Sequence, residues 1–356
     1  MLRVNLGSRS YDVAVVRGDA AGLGAFVRQR CPGERTMIIA DENLMSAVQG
    51  VAQSLHAVGY HPLIATISPG EPSKSLAVAA RLYDALAGMP ADRATPIVAV
   101  GGGVVGDVAG FVAATWHRGL PIIHVPTSLL AMVDSAIGGK VGINHAQGKN
   151  LIGAIHQPAG VWIDLAHLAT LPEREFRSGL AEVVKHGVIL DAEFFAWLET
   201  TAEAILARDS NALERVVSTC CAHKAGVVEQ DEREIGGGRM ILNYGHTFGH
   251  AFEAAAGYRG WTHGEAVAAG MICASRLAER LGRIPPQVTT AQISLLERFG
   301  LPTAPDRAWP IDAILTAMQR DKKALHGRLR FVLPTRIGHV ELVSDVPEAA
   351  VRAVLA

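Results

Sequence analysis

The sequence predicts two domains: an α/β domain built on a parallel sheet in residues 1–170, and a mostly α-helical domain in residues 171–356. In the first half, short and almost continuously apolar runs alternate with helical segments of about 10–15 residues, a pattern typical of a parallel sheet covered on both faces. After Leu171-Pro172 the segments become rich in alanine, and their apolar residues recur every three or four positions, which indicates packed helices.

Five apolar runs are predicted to be strands of the sheet. They are TMIIAD (36–41), HPLIATI (61–67), LPIIHVPT (120–127), GVWIDL (160–165) and the start of PIVAVGGGVVGD (96–107), a strand that runs into glycines. The N-terminal MLRVNLGSRSYDVAVV alternates like a further strand. Helices are expected from Glu42 onward and in SKSLAVAARLYDALAGM (73–89), which stops at Gly88 and Pro90.

The second half is predicted to be helical along most of its length. The predicted helices are PEREFRSGLAEVVKHGVIL, SNALERVVSTCCAHKAGVVEQD, HTFGHAFEAAA and GEAVAAGMICASRLAERLG, followed by a pair at 290–299 and 311–320. The segment RLRFVLPTRIGHVEL is expected to form two short strands.

Composition narrows the class of protein. The net charge is -1, which excludes a general electrostatic attraction to nucleic acid or an anionic membrane. The four cysteines lack CxxC spacing, which argues against a structural zinc ribbon or a disulfide framework and fits a reducing compartment. The N-terminus lacks the apolar core of a signal peptide, and the apolar stretch LPIIHVPTSLLAMV is too short to span a bilayer. We therefore expect a cytoplasmic protein without nucleic-acid or membrane partners.

Gly101, Gly103 and Gly106 match the pattern GxGxxG and follow a predicted strand. Such glycines let the backbone approach a pyrophosphate at a helix N-terminus. The acidic residue expected about 20 positions later is missing, so a tight turn without a ligand explains the pattern equally well. If a dinucleotide binds, Asp41 at the end of TMIIAD is the candidate for its ribose.

The segment VDSAIGGKVGINHAQGKN (133–150) places Asp134, Lys140, Lys149 and Asn150 among glycines. Backbone amides and lysine ammonium groups can both approach a phosphate or a carboxylate closely in such a segment. A solvated loop with surface lysines is the alternative, and the segment taken alone favours it slightly.

Two groups of residues could hold a metal. Glu182 lies among apolar residues, where a buried carboxylate needs a partner charge or a metal, although an ion pair within its own helix is the simpler explanation. His246 and His250 lie on one face of a predicted helix at i and i+4, and His263 starts another. With Glu182 these histidines form a His/His/Glu set that suits zinc with an open position for a substrate.

Spacing alone leaves this ligand set open. It does not choose which two of the three histidines would bind the metal. Glu265, two positions after His263, is equally eligible as the carboxylate ligand or as a first-turn residue favoured by the helix dipole.

Taken together, motifs from both halves resemble one family. GGGVVGDVAGFVAA, HVPTSLLAMVDSAIGGK, GKNLIGAIHQP, LPEREFRSGLAEVVKHGVI, DERE, GHTFGHAFE and HGEAVAAGM resemble 3-dehydroquinate synthase of the sugar-phosphate cyclase superfamily, in order and over nearly the whole chain. The resemblance implies NAD in the first domain and a divalent metal in the second, usually zinc with cobalt as the alternative. It implies conversion of 3-deoxy-D-arabino-heptulosonate 7-phosphate to 3-dehydroquinate and phosphate, in the shikimate pathway, by a homodimer.

The same resemblance assigns roles residue by residue. It implies Glu182, His246 and His263 as metal ligands, leaving His250 unligated near the substrate phosphate. The implied catalytic residues are His250, Lys140, Lys185, Asn243 and Arg239, and the implied substrate contacts are Arg118, Asp134, Lys149, Asn150, Lys224 and Lys322. The implied NAD site comprises Asp41, Asn43, Glu71, Lys74, Gly102, Gly103, Val104, Asp107, Thr127, Ser128, Lys140, Lys149 and Thr170.

The implied mechanism is a transient oxidation by NAD, elimination of phosphate, return of the hydride and an intramolecular aldol closure. Three departures from the family pattern stand out: Ser128 replaces the second threonine of a pair, His186 stands where tyrosine is common, and 236–238 is one residue longer than usual. The alternatives are another sugar-phosphate cyclase, a metal-dependent polyol dehydrogenase of the same fold, and a nucleotide-binding scaffold. The scaffold would leave the metal-ligand set without a purpose.

Overall fold

The computed structural model describes residues 1–257, 260–323 and 330–356, and it leaves out the side chains of 320–323. Its contacts group into two compact units. The first is Met1–Leu171 with Leu213–Arg233, and the second is Pro172–Ala212 with Glu234–Ala356. The first break lies one residue after the proposed boundary at 170. Residues 213–233, which the sequence pattern placed in the second domain, group with the first unit.

Side-chain contacts explain why 213–233 group with the first unit. Glu229 accepts hydrogen bonds from the backbone and side-chain nitrogens of Asn5 at 2.6 and 3.0 Å. Lys224 donates to the backbone oxygen of Asp134 at 2.7 Å and pairs with its carboxylate. These partners are distant in sequence, so helical periodicity carries no information about them.

The first unit is built on a seven-stranded sheet. Its strands are β1 (Leu2–Val4), β2 (Tyr11–Val16), β3 (Arg35–Asp41), β4 (His61–Ile67), β5 (Ile97–Gly101), β6 (Ile122–Pro126) and β9 (Gly160–Asp164), and β7 (Lys140–His145) and β8 (Gly148–Ile155) form a separate hairpin. The seven strands lie in the order β1-β2-β9-β6-β5-β3-β4 and are parallel except for the β1–β2 pair. Its helices are α1 (Gly22–Arg28), α2 (Met45–Ala57), α3 (Leu76–Gly88) and α4 (Gly103–Thr115). The predicted α/β class with a parallel sheet is confirmed.

Successive side chains of β3 point to opposite faces of the sheet, so the core of this unit has two layers. Ile38 and Ala40 lie in the apolar cluster that contains α1 and α2 residues. Met37 and Ile39 point to the opposite face, into the cluster that contains residues of α3 and α4. Helices therefore cover both faces of the sheet, as the uninterrupted apolar runs predict.

The second unit is mostly helical, which confirms the predicted class. Its helices are α5 (Glu173–Leu190), α6 (Ala192–Leu206), α8 (His246–Ala255), α9 (His263–Arg280), α10 (Pro286–Arg298), α11 (Ile311–Lys323) and α12 (Glu348–Leu355), and β10 (Arg330–Arg336) pairs antiparallel with β11 (His339–Ser344). Helix α7 (Ser210–Gln230) spans the break at 212. Among the described residues, no helix is both long enough and apolar enough to cross a bilayer.

Glycines let three helices of this unit approach closely. A Cβ atom on Gly264 of α9 would lie 1.9 Å from the backbone oxygen of Ser178 in α5. One on Gly270 of α9 would lie 2.2 Å from the backbone oxygen of Gly245, which precedes α8. Any larger residue would force α5, α8 and α9 apart, and these are the helices that carry the predicted metal ligands.

Candidate active site

The three predicted metal ligands converge within the second unit. Glu182 lies in the middle of α5 with a fully buried side chain, whereas His246 and His263 are the first residues of α8 and α9. Oε1 of Glu182 lies 3.6 Å from Nε2 of His246 and 3.6 Å from Nε2 of His263. One ligand atom from each residue lies within 4.8 Å of the others.

This donor set fits a divalent metal. Two ligand atoms bound tetrahedrally at about 2.1 Å lie roughly 3.4 Å apart, close to the observed separations. Two imidazoles and one carboxylate are a zinc set that leaves a fourth position open.

The other nitrogen of each histidine ring has its own partner. Nδ1 of His246 lies 3.1 Å from the backbone oxygen of Tyr244, and Nδ1 of His263 lies 3.5 Å from Oε1 of Glu253. Both rings therefore turn Nε2 toward Glu182, the orientation that a shared metal requires. Lys185, one turn after Glu182 on α5, forms an ion pair with its carboxylate and is itself buried.

The two predicted ligand histidines have opposite pKa shifts. Burial, followed by the charge of Lys185, lowers the pKa of His246 to about 3. Burial also lowers the pKa of His263, but hydrogen bonding and charge interaction with Glu182 and Glu253 outweigh it and raise that pKa to about 10. Since a ligand imidazole must be neutral, metal binding at neutral pH has to displace a proton from His263.

The structure distinguishes among the candidate ligand residues that spacing alone left open. The ring of His250 lies edge-on to that of His246, with centroids 5.4 Å apart, and His250 is outside the group of converging ligand atoms. Glu265 closes a capping box with Thr262 at the start of α9. Its carboxylate also accepts two hydrogen bonds from Arg174, at 2.8 and 2.7 Å, so it serves as a first-turn residue.

Four further polar residues lie in the same unit as the metal-ligand cluster. Arg239 lies in a short 3-10 helix (Gly238–Asn243) and is 1% exposed. Asn243 ends that helix, and its side-chain nitrogen lies 3.5 Å from Oε1 of Glu234. Glu234 was missed by the sequence reasoning, although the DERE motif ends on it. His186, one of the three departures from the family pattern, is fully buried.

In the first unit the glycine-rich turn joins β5 to α4. Helix α4 begins at Gly103, two residues after the strand ends, so its N-terminal amides face the turn. A Cβ atom on Gly101 would lie 2.4 Å from the Val105 side chain, and one on Gly102 would lie 3.2 Å from Oγ of Ser128. Side chains at Gly101 and Gly102 would therefore crowd the turn that a dinucleotide phosphate would approach. The implied NAD fits this glycine-rich turn.

The other predicted NAD residues of this unit lie at the ends of strands, in the first turn of α4, in the segment after β9, or in a polar network around Lys74. Asp41 ends β3 and accepts a hydrogen bond from the Asn43 backbone at 2.9 Å, while Thr127 and Ser128 follow β6. The carboxyl ends of parallel strands share one edge of a sheet, where α/β domains bind ligands. Val104 lies in the first turn of α4, and the Thr170 hydroxyl donates to the backbone oxygen of His167 at 3.3 Å.

Lys74 is the centre of the polar network. It is 5% exposed, donates to Asp107 at 2.7 Å and also contacts the side-chain oxygen of Asn150. Burial raises the pKa of Asp107, although the positive charge of Lys74 acts to lower it. Asn144, which no motif singled out, donates to Glu71 at 2.8 Å and accepts from the Asn150 backbone at 2.9 Å.

The other predicted substrate residues are placed as follows. Lys140 begins the β7–β8 hairpin and Lys149 lies in β8, while Asp134 pairs with Lys224. Arg118 is exposed and has a left-handed backbone, with φ of 66°. Lys322 lies in α11, but its side chain is outside the described part of the chain.

Comparison with known proteins identifies relatives over the whole length. The family model described as 3-dehydroquinate synthase N-terminal matches residues 64–178, and the C-terminal model matches residues 179–324. A curated relative, the 3-dehydroquinate synthase of Desulforamulus reducens, is 48% identical over 355 residues, covering 99% of each protein.

Two solved structures share the complete fold. A 2-deoxy-scyllo-inosose synthase complexed with carbaglucose-6-phosphate, NAD+ and Co2+ superimposes with a TM-score of 0.90 at 29% identity, over 99% of this chain and 98% of that one. ValA, the 2-epi-5-epi-valiolone synthase from Streptomyces hygroscopicus subsp. jinggangensis 5008 with NAD+ and Zn2+ bound, also gives 0.90, at 27% identity and over 99% and 97%.

Proposed function

The chain belongs to the 3-dehydroquinate synthase family, and from that membership we propose that it converts 3-deoxy-D-arabino-heptulosonate 7-phosphate into 3-dehydroquinate and phosphate. The reaction makes it a phosphate-eliminating carbon–oxygen lyase of the shikimate pathway. The observation that carries the proposal is the convergence of Glu182, His246 and His263. One solved relative of this fold holds carbaglucose-6-phosphate, NAD+ and Co2+, and another holds NAD+ and Zn2+.

NAD and a divalent metal are proposed as the cofactors. The relatives with bound NAD+ and either Co2+ or Zn2+ support both groups. The His/His/Glu donor set favours zinc. When bound, NAD supplies a hydride acceptor that is regenerated within the cycle, and the divalent cation polarises substrate hydroxyl groups.

Residues of the second unit would bind the metal, orient the substrate and exchange a proton with it. Glu182, His246 and His263 would hold the metal. Lys185, buried beside the Glu182 carboxylate, would supply a positive charge beside the metal site. Arg239 and Asn243 lie on one short helix and would orient anionic and hydroxyl groups of the substrate, whereas His250 would exchange a proton with it.

In the first unit, the Gly101–Gly103 turn and the N-terminus of α4 would hold the NAD pyrophosphate, with Asp41 on a ribose. Lys74 would keep Asp107 ionised and Asn150 in place. The remaining assigned substrate contacts, including Arg118, Lys140, Lys149, Lys224 and Lys322, are proposed on the family motifs that contain them.

The experiment that tests this function is release of inorganic phosphate from the heptulosonate phosphate, measured with and without a chelator. We expect phosphate release that the chelator abolishes and added Zn2+ restores, at constant NADH absorbance. Chelator-resistant release would contradict the metal centre, and accumulating NADH would indicate net oxidation, as in a polyol dehydrogenase.

A homodimer in the cytoplasm is proposed as the working state. The four cysteines are all buried and free, which fits a reducing compartment. Light scattering of the purified protein tests the dimer, and a monomer at micromolar concentration would contradict it.

A further inference from the structure

We propose that Glu253 is a positioning residue that fixes the His263 imidazole for metal binding. The inference rests on the metal centre proposed above and adds a residue to which the family motifs assign no role there. It concerns the orientation and basicity of one ligand, and it is tested on metal affinity.

The geometry places Glu253 behind the ligand ring. Oε1 of Glu253 lies 3.5 Å from Nδ1 of His263, whereas Nε2 of the same ring lies 3.6 Å from Oε1 of Glu182. The two nitrogens point away from each other across the ring, so Glu253 lies on the side opposite the converging ligand atoms. It therefore cannot share the metal, but it can accept the Nδ1 proton and lock the tautomer that frees Nε2.

Two features of its position make a charged Glu253 carboxylate costly. Its side chain is 7% exposed, and a buried carboxylate requires a compensating donor. It also lies in the last turn of α8, where the helix dipole disfavours negative charge. The ring of His263 offsets both costs, because an imidazole that donates to a carboxylate and binds a cation carries positive charge toward Glu253.

The second histidine ligand shows the same arrangement with a weaker acceptor. Nδ1 of His246 faces the backbone oxygen of Tyr244 at 3.1 Å. The Tyr244 side chain is held by Gln292 at 2.7 Å and by the backbone oxygen of Met271 at 3.0 Å. A neutral carbonyl orients His246, whereas a carboxylate orients His263, so Glu253 is the charged group that raises ligand basicity at this centre.

Competition with a chromophoric chelator gives the zinc Kd of the wild-type protein, Glu253→Ala, Glu253→Gln and the control Glu297→Ala, whose glutamate is exposed on α10. We expect Glu253→Ala to raise the Kd about 10- to 100-fold and Glu253→Gln to raise it less, because the amide oxygen still accepts from Nδ1. The control should bind like the wild type. Melting temperatures in excess chelator should differ less among the variants than those of the zinc-loaded proteins.

A wild-type zinc Kd in Glu253→Ala would overturn the inference, and so would equal melting shifts with and without zinc, which indicate a purely structural role. A wild-type protein that binds no zinc would overturn the metal centre itself. The two failures are thus distinguished by the wild-type titration.

Discussion

Nε2 of His246 lies 3.6 Å from Oε1 of Glu182, although the two residues belong to different helices and to distant parts of the sequence. His250, one turn further along α8, lies outside the group of converging ligand atoms. We therefore predict different roles for these two histidines, although their spacing is typical of a metal-binding pair.

His246→Ala and His250→Ala test that division. The first variant should lose bound zinc, because one of three protein ligands is gone. The second should keep about one zinc per chain while kcat falls roughly 10²–10⁴-fold, as expected for a lost proton-transfer group. Atomic absorption after gel filtration measures the zinc. Equal zinc content in the two variants, whether high or low, would refute the division.

Gly264→Ala should destabilise the second unit. The added Cβ would lie 1.9 Å from the Ser178 backbone oxygen, so α5 and α9 must separate, at a cost of about 1–3 kcal/mol or more. Gly226→Ala is the matched control in α7, where nothing lies within 4 Å and alanine should stabilise the helix by roughly 0.5–1 kcal/mol. Calorimetry in chelator compares the two. A Gly264→Ala melting temperature at or above that of the wild type would count against the close packing.

Lys74→Ala should weaken both the first unit and its NAD site. Removing the ammonium group leaves Asp107 without the cation that opposes its burial, which we expect to cost about 1–3 kcal/mol. Urea unfolding without NAD measures this, and NAD titration should show a weaker Kd. Arg81→Ala, at an exposed position on α3, should change stability by less than about 0.5 kcal/mol. Equal stability of the two variants would show that the Lys74 network contributes nothing.

His124 on β6 should make the first unit sensitive to acid. Burial, with a contribution from the nearby His156, lowers the pKa of His124 from 6.5 to about 4. The unfolded chain then binds the extra proton first, so the associated stability is present above pH 6.5 and is lost as pH falls toward 4. The loss is about 3 kcal/mol for this group. His124→Gln should show a shallower fall in the free energy of unfolding over that range. Parallel pH profiles for the two proteins would contradict the assignment.

The sequence predicts those parts of the molecule that periodicity encodes. The apolar runs at 36–41, 61–67, 120–127 and 160–165 lie on β3, β4, β6 and β9, and the run at 96–107 forms β5 before its glycines lead into α4. The sequence pattern did not predict the β7–β8 hairpin, because its strands contain glycines, which usually weaken strands. A Cβ on Gly153 would lie 2.3 Å from the Val141 backbone oxygen, so the close pairing itself requires glycine there.

Residues that act through tertiary contacts were harder to find. Spacing alone left Glu182 and Glu265 as rival carboxylates, and only the folded chain shows Glu265 capping α9 and bonded to Arg174. Asn144 and Glu234 acquire their significance from partners that the chain brings together, so neither periodicity nor spacing marks them.

Product analysis tests the central claim most directly. The purified protein, loaded with Zn2+ and NAD, is incubated with the heptulosonate phosphate and the products are followed by NMR together with released phosphate. The proposed function predicts 3-dehydroquinate and phosphate in equal amounts, with NAD unchanged at the end. A different carbocycle, or phosphate release without ring closure, would contradict it.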